Sequence, residues 1–353
     1  MIYAQNASVS GYVNDQTSGE TLISANVAIL ENNRGTSTNT LGYYSITNLQ
    51  PGTYTIACSY VGFELYKKTI TLSANETLRL DIDLTPNVVS SEEIVVTSQR
   101  VKDQEKDIGI AQINTELIKS LPKVFEADVF RSIQLLPGVK AASDFSSGLY
   151  IRGGSPDQTL ILLDRNTVYN PSHFFGFFST FNPDAIKDVR LYKGGYPAEY
   201  GGRLSSVLTI YNKDGNRNRT EGTATVGMLA SRVSIEGPYK RGSWIFSARR
   251  STLEPVLAAL RSTTDNIPSS FYFLDFNGKV NFDASADDKL SLAFYSGQDK
   301  VNFPFADDAA FKLNYGNRTL SGNWTHIFNE KLFSNFVLTG SQYFNYPEIE
   351  LGG

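Results

Sequence analysis

Over the last third of the chain, apolar and polar positions take turns. Tyr272, Leu274, Phe276, Gly278, Val280 and Phe282 alternate with Phe273, Asp275, Asn277, Lys279, Asn281 and Asp283; Leu290, Leu292 and Phe294 with Ser291, Ala293 and Tyr295; Leu320, Trp324 and Phe328 with Ser321, Asn323 and Thr325. A period of two sends alternate side chains to opposite faces of a strand. This region therefore predicts strands with one apolar face and one polar face, Phe273 being the exception on the polar side. The connections sort by length: Tyr239–Gly242, Ala284–Asp288 and Asn329–Lys331 are short, whereas Thr252–Ser270 and Lys300–Asn317 are long. A membrane β-barrel with short turns at one end and long loops at the other shows that asymmetry.

Shorter strand-like pieces open the chain: Ser8–Val13, Asn26–Glu31, Tyr43–Ile46, Thr53–Tyr60, Tyr66–Leu72 and Thr77–Leu84, with turn chemistry at Asp15–Gly19, Asn32–Gly35 and Pro51–Gly52. Such spacing predicts a small two-sheet sandwich. In the middle, Leu149–Ile151 and Thr159–Leu163 read as a hairpin about the turn Gly153–Asp157. Asn182-Pro183-Asp184 offers a cap and a first-turn proline, predicting a helical turn over Ala185–Lys187 that enters a strand Val189–Lys193. Phe125, Val129, Ile133 and Leu136 lie on one helical face, which Pro137-Gly138 stops.

Ordered blocks run through this middle region: Leu136-Pro137-Gly138-Val139, Ile151-Arg152-Gly153-Gly154, Leu162-Leu163-Asp164, Tyr169-Asn170-Pro171-Ser172-His173, Lys193-Gly194-Gly195-Tyr196-Pro197-Ala198 and Tyr200-Gly201-Gly202-Arg203-Leu204-Ser205-Ser206-Val207. Together they resemble the plug domain of TonB-dependent outer-membrane receptors. The resemblance marks Arg152, Gly153, Gly154, Asp164, Asn170, Pro171, Gly194, Gly195, Gly201, Gly202 and Arg203 as its motif positions. It departs at Arg165, where such plugs usually carry glycine, so a turn needing positive φ there would be strained. The opening strands, through Gly11-Tyr12-Val13, Gly42-Tyr43-Tyr44-Ser45-Ile46 and Pro51-Gly52-Thr53-Tyr54, resemble the carboxypeptidase regulatory-like domain, a transthyretin-like sandwich whose name carries no catalysis. Between the two, Glu92, Glu93, Ile94, Val95, Val96 and Thr97 resemble a TonB box, an extended segment that adds itself to the edge of a partner's sheet.

The fold class expected is mainly β: an N-terminal transthyretin-like β-sandwich (7–86), a linker with the TonB-box-like segment (87–100), an α+β plug domain (101–214), then the first strands of an incomplete transmembrane antiparallel β-barrel (215–353). Residues 1–6 read as the remnant of a signal peptide. About seven strands are expected after the plug, where plugged transporters have about 22, so the chain is expected to stop inside its barrel.

With 353 residues, one core is exceeded and two or three domains are expected. A net charge of -4 with 19% charged residues argues against nucleic acid as a partner. Apolar runs fall short of the roughly 20 residues that a membrane helix needs, which leaves a barrel open. Cys58 is the single cysteine and His173 and His326 are the two histidines, so no disulfide, metal site or cofactor is expected. No HxxE pair, nucleophile elbow or catalytic triad is visible, which argues against a carboxypeptidase-like enzyme. The resemblance implies energy-coupled import across the outer membrane, the N-terminal domain lying in the periplasm. It brings as partners a TonB-type energy-transducing protein, outer-membrane lipid, an extracellular ligand of unknown identity and room for a substrate-binding lipoprotein. The alternative is a soluble or surface-attached β-rich module that binds glycan or protein.

Overall fold

A computed structural model describes residues 6–87, 109–114, 118, 127–141, 143, 146–262, 269–306, 309–329 and 332–351. The TonB-box-like segment, Glu92–Thr97, lies outside the described residues.

The opening strands are β1 (Ala7–Asp15), β2 (Asn26–Ile29), β3 (Arg34–Ser37), β4 (Tyr43–Leu49), β5 (Gly52–Ser59), β6 (Tyr66–Leu72), β7 (Thr77–Arg79) and β8 (Ile82–Leu84). They form two sheets, one ordered β4-β1-β7 with β8 also on β1, the other β3-β2-β5-β6. Val9, Val13, Val27, Ile29, Tyr44, Ile56, Cys58 and Ile82 fill the space between. Two expectations change. Arg34–Ser37 is an edge strand rather than part of a turn. Thr77–Leu84 is two strands, because the chain crosses over Gly11 in the middle: a Cβ there would lie 2.0 Å from the Leu80 carbonyl oxygen. At the crossing the Asp81 carboxylate accepts the Tyr12 N–H at 2.8 Å, standing in for the missing main-chain acceptor.

The middle region follows with β9 (Ile110–Asn114), α1 (Val129–Gln134), β10 (Val139–Lys140), β11 (Tyr150–Ile151), β12 (Thr159–Leu163), β13 (Asn166–Thr167), β14 (Ser172–His173), β15 (Phe178–Ser179), β16 (Ile186–Tyr192) and β17 (Ser206–Asn212). Its main sheet has the order β13-β12-β17-β16-β9. The expected hairpin is not formed. β11 pairs with β10, and β12 runs parallel to β17 from Thr159↔Ser206 to Leu163↔Ile210. Both β12 and β17 are buried along their whole length, as a central parallel pair must be. The helical turn over Ala185–Lys187 is also absent: Asn182 does cap, its Oδ1 accepting the Asp184 N–H at 3.1 Å, but β16 has begun by Ile186. The helix is shorter than the pattern suggested, and Asp128 sets its start by accepting the N–H groups of Phe130 and Arg131.

The third region is a seven-stranded antiparallel meander, β18 (Glu221–Val226), β19 (Ala230–Tyr239), β20 (Gly242–Ser251), β21 (Ser270–Asp283), β22 (Asp288–Ala306), β23 (Ala309–Asn329) and β24 (Leu332–Leu351), with α2 (Glu254–Arg261) between β20 and β21. Its outer face is apolar and exposed at Val233, Phe246, Phe276, Leu292, Phe294, Leu320 and Trp324, whereas Arg249, Asp275, Asp299, Asn317 and Thr325 on the inner face are buried. Lys300–Asn317 is not a loop. β22 and β23 stay paired from Asp288↔His326 to Ala306↔Ala309, so this end lengthens by strand rather than by irregular chain. Strands of 19, 21 and 20 residues exceed the roughly 9 to 11 that cross a bilayer.

An exposed apolar face of this kind faces hydrocarbon in a membrane barrel, where Arg or Lys near mid-membrane costs about 2 to 4 kcal/mol. Leu292→Arg is therefore expected to reduce assembled barrel far more than Ser291→Arg, its neighbour of opposite parity. Heat-modifiable migration of the full-length protein measures this; equal loss in both variants would refute the assignment of faces.

Candidate functional site

The glycine-rich motif positions gather at one end of the plug-like sheet. Arg152 (φ 47) and Gly153 (φ 87) make the turn after β11, and the Arg152 N–H bonds the Gly138 carbonyl at 3.0 Å. Gly154 packs where a Cβ would fall 2.1 Å from Ser205 Oγ, so no side chain fits. Gly194 and Gly195 follow β16, and Gly201, Gly202 and Arg203 lead into β17, all at the Thr159↔Ser206 end. Arg203 is exposed and bonds the neighbouring Gly202 carbonyl.

Asp164 lies at the opposite end. It and Arg165 join β12 to β13 with φ 44 and 70, the positive pair that a tight two-residue hairpin turn requires. Arg165 thus adopts the strained conformation that glycine would have taken freely. The Asp164 carboxylate holds the turn against β17 through the Asn212 N–H at 3.1 Å and its side-chain amide at 2.6 Å.

Asn170 and Pro171 open a third place, the loop from Tyr169 to Ser179, which reaches the inner face of the seven-stranded sheet. The Asn317 amide donates to the Asn170 carbonyl at 2.7 Å, and the Pro171 carbonyl accepts the Thr180 N–H at 2.9 Å. Here the structure brings together residues that are not among those motif positions, although His173 ends the block Tyr169–His173. His173 is buried, with Nδ1 2.6 Å from Asp299 Oδ2 on β22 and Nε2 2.9 Å from Asp275 Oδ1 on β21. Its ring stacks on Phe273 with centroids 4.2 Å apart. Asp275 also accepts from Arg249 Nε at 2.9 Å and Tyr295 Oη at 3.1 Å, and Arg249 reaches across to the Ser179 carbonyl at 2.7 Å. Phe174 and Phe175 take positive φ of 52 and 53, a conformation costing about 1 to 3 kcal/mol per non-glycine residue. Asp299 holds the first of them by accepting the Phe174 N–H at 3.1 Å.

The geometry sets the charge of His173. Both ring nitrogens face carboxylate oxygens, and only the imidazolium can donate from both. Arg249 and a charged His173 balance Asp275 and Asp299; a neutral ring would leave a buried carboxylate uncompensated. Burial pushes the imidazole pKa down, but the two carboxylates outweigh it and raise the value to about 9. A folded-state pKa above the unfolded value of about 6.5 means that this stabilisation is complete below about pH 6.5 and is lost as pH rises through about 9. Hydrogen exchange at Phe174, whose N–H is held by Asp299, should therefore, corrected for intrinsic rate, speed up through that window in the native protein. In His173→Gln, which cannot carry the charge, protection should be low at every pH; a native profile flat from neutral to alkaline pH would contradict the charged cluster.

Residues 9–96 match the model of the CarboxypepD_reg-like domain, and residues 94–206 that of the TonB-dependent Receptor Plug Domain. The TonB-dependent transporter Oar of Myxococcus xanthus is 25% identical over 228 residues, which are 61% of this chain and 21% of that protein. The chain thus spans about a fifth of the curated relative it matches. Among solved structures, the siderophore receptor PirA from Pseudomonas aeruginosa covers 68% of this chain and 41% of its own, at 20% identity and a TM-score of 0.46. The copper transporter OprC covers 68% and 37%, at 12% identity and a TM-score of 0.46. In chain order stand a region that matches the CarboxypepD_reg-like domain, a region that matches the TonB-dependent Receptor Plug Domain and a seven-stranded antiparallel sheet, and the chain is similar to a TonB-dependent transporter.

Proposed function

We propose that this chain forms the regulatory-like domain, coupling segment, plug and first barrel strands of an outer-membrane importer. In this reading the short-turn end of the sheet faces the periplasm, together with the N-terminal domain, and ligand arrives at the end where β22 and β23 extend. The glycine-rich turns at Arg152–Gly154, Gly194–Gly195 and Gly201–Arg203 and the hairpin at Asp164 shape the plug rather than perform chemistry. No bond of the ligand is made or broken.

The carrying observation is that the plug meets the polar face of the sheet strand after strand. Arg232 of β19 pairs with Asp184, Arg249 of β20 bonds the Ser179 carbonyl, and Asp275 of β21 and Asp299 of β22 hold His173. Asn317 of β23 bonds Asn170, and Ser341 of β24 bonds the Thr167 carbonyl. A soluble binding module would not leave the opposite face of the same strands apolar and exposed.

Import against a gradient needs energy delivered to the plug. Glu92–Thr97, between the N-terminal domain and the plug, is the segment we assign to capture by a TonB-type protein as an added strand. Proline at position 95 removes one main-chain donor, so Val95→Pro should weaken binding of the full-length protein to the periplasmic domain of that partner about tenfold, the equivalent of about 1.4 kcal/mol. Titration calorimetry measures it, and unchanged affinity would end the coupling assignment.

A further inference from the structure

The chain that leaves the plug at β17 and enters the barrel wall at β18, residues 213–220, is gripped by one turn of the N-terminal domain. That turn, Gln16–Thr21, is internally braced: Asp15 Oδ1 accepts the Thr17 N–H at 2.7 Å, Asp15 Oδ2 accepts Ser18 Oγ at 3.0 Å, and the Asp15 carbonyl accepts the Gly19 N–H at 2.7 Å. It meets the junction residue by residue. Glu20 Oε1 accepts the N–H groups of Asp214 and Gly215, the latter at 2.9 Å. The Ser18 carbonyl accepts the Arg217 N–H at 2.6 Å, and the Asn218 amide donates to the carbonyls of Gln16 and Thr17 at 3.1 and 3.0 Å.

Glycines allow close approach on both sides of the junction. A Cβ on Gly19 would lie 2.9 Å from Arg217 Cβ, and one on Gly215 would lie 2.4 Å from the Trp244 carbonyl oxygen. The charged side chains of Asp214 and Arg217 meanwhile pair with the plug and barrel: Asp214 with Lys187 and Lys279, and Arg217 with Asp283. The main-chain donors of Asp214, Gly215 and Arg217 thus find their acceptors in the N-terminal domain, and partly buried N–H groups left without partners are costly. The same domain also touches the adjoining barrel turn, where Arg79 lies 3.6 Å from Asp287, and the plug's edge strand, where Gln112 donates to the Ile23 carbonyl at 3.5 Å.

We propose that the Gln16–Thr21 turn is a docking surface whose partner is the plug–barrel junction of the same chain, so that the N-terminal domain is clamped to the root of the plug. A domain tethered only through the linker would need neither the main-chain donors of Asp214, Gly215 and Arg217 turned toward it nor a glycine opposite Arg217. One consequence rests on the import reading: residues 92–97 join this domain to β9, so a partner that captures them loads the clamp as well as the plug's edge strand.

The clamp itself is tested without any TonB-type protein, so its failure is separable from failure of the import reading. In the full-length protein in native outer-membrane vesicles, the pair Thr17→Cys and Asn218→Cys should form a disulfide under mild oxidation, while Thr53→Cys with Asn218→Cys should not. In detergent, Glu20→Ala should raise the exchange rates of the Asp214 and Gly215 amides at least tenfold and leave that of Val27, in the core of the same domain, unchanged. Glu31→Ala, which removes a cap on Thr55 away from the junction, should leave all three unchanged. Absence of the Thr17–Asn218 cross-link would overturn the proposal, as would native Asp214 and Gly215 amides that already exchange as fast as in Glu20→Ala.

Discussion

A barrel wall carries its constraint on the inside. Half of every strand's side chains point away from the exposed apolar face, and here they include Arg249, Asp275, Asp299 and Asn317, all buried. Groups of this kind are tolerated away from water only when hydrogen-bonded or paired, because losing one partner of a buried ion pair costs about 3 to 5 kcal/mol. The plug is what satisfies them. Its loop and turn carbonyls, with His173, supply the complementary set, and the apolar plug core built on Ile133, Leu163, Val189 and Leu208 fixes where those groups stand.

His173 concentrates this dependence. It is the point where two barrel strands, a neighbouring arginine and a plug loop with two positive-φ phenylalanines meet, and each part constrains the others. Phe273 stacks on the imidazole and the Arg249 guanidinium lies 5.0 Å from the centroid of the same phenyl ring, so charge and aromatic surface adjoin. At the other end of the plug, Asp214 with Lys187 and Lys279 forms a second, partly buried ionic contact at the junction that the N-terminal domain covers. The plug is thereby tied to the wall at two levels of β21, at Asp275 and at Lys279.

The sequence carried the faces of the barrel strands because period-two patterning is a local signal, as Leu292 against Ser291 shows. Phe273, which broke the pattern, is explained by the plug-loop rings of His173 and Phe178 that pack on it. The β-sandwich was legible from strand spacing, yet the crossing at Gly11 that splits β7 from β8 depends on a contact between residues far apart in the chain. β12 and β17 misled for a related reason: strands buried on both faces do not alternate, and nothing in Thr159–Leu163 distinguishes a hairpin partner nearby from a parallel one 47 residues on. The same distance hid the central cluster. His173 meets carboxylates 102 and 126 residues away, so no motif spacing could mark it, whereas Asp275 on a lumen-facing parity was the signal available.

The central claim is that a charged imidazole pins the plug loop between two barrel strands. In a His326→Asn background His173 is the one remaining imidazole of the described chain, and its ring nitrogens can be read by nitrogen-15 NMR at a pH of about 7.5, above the ordinary histidine range. The account predicts two protonated nitrogens at that pH. A neutral ring with one bare nitrogen would contradict it, because that nitrogen would face a carboxylate with no proton between them.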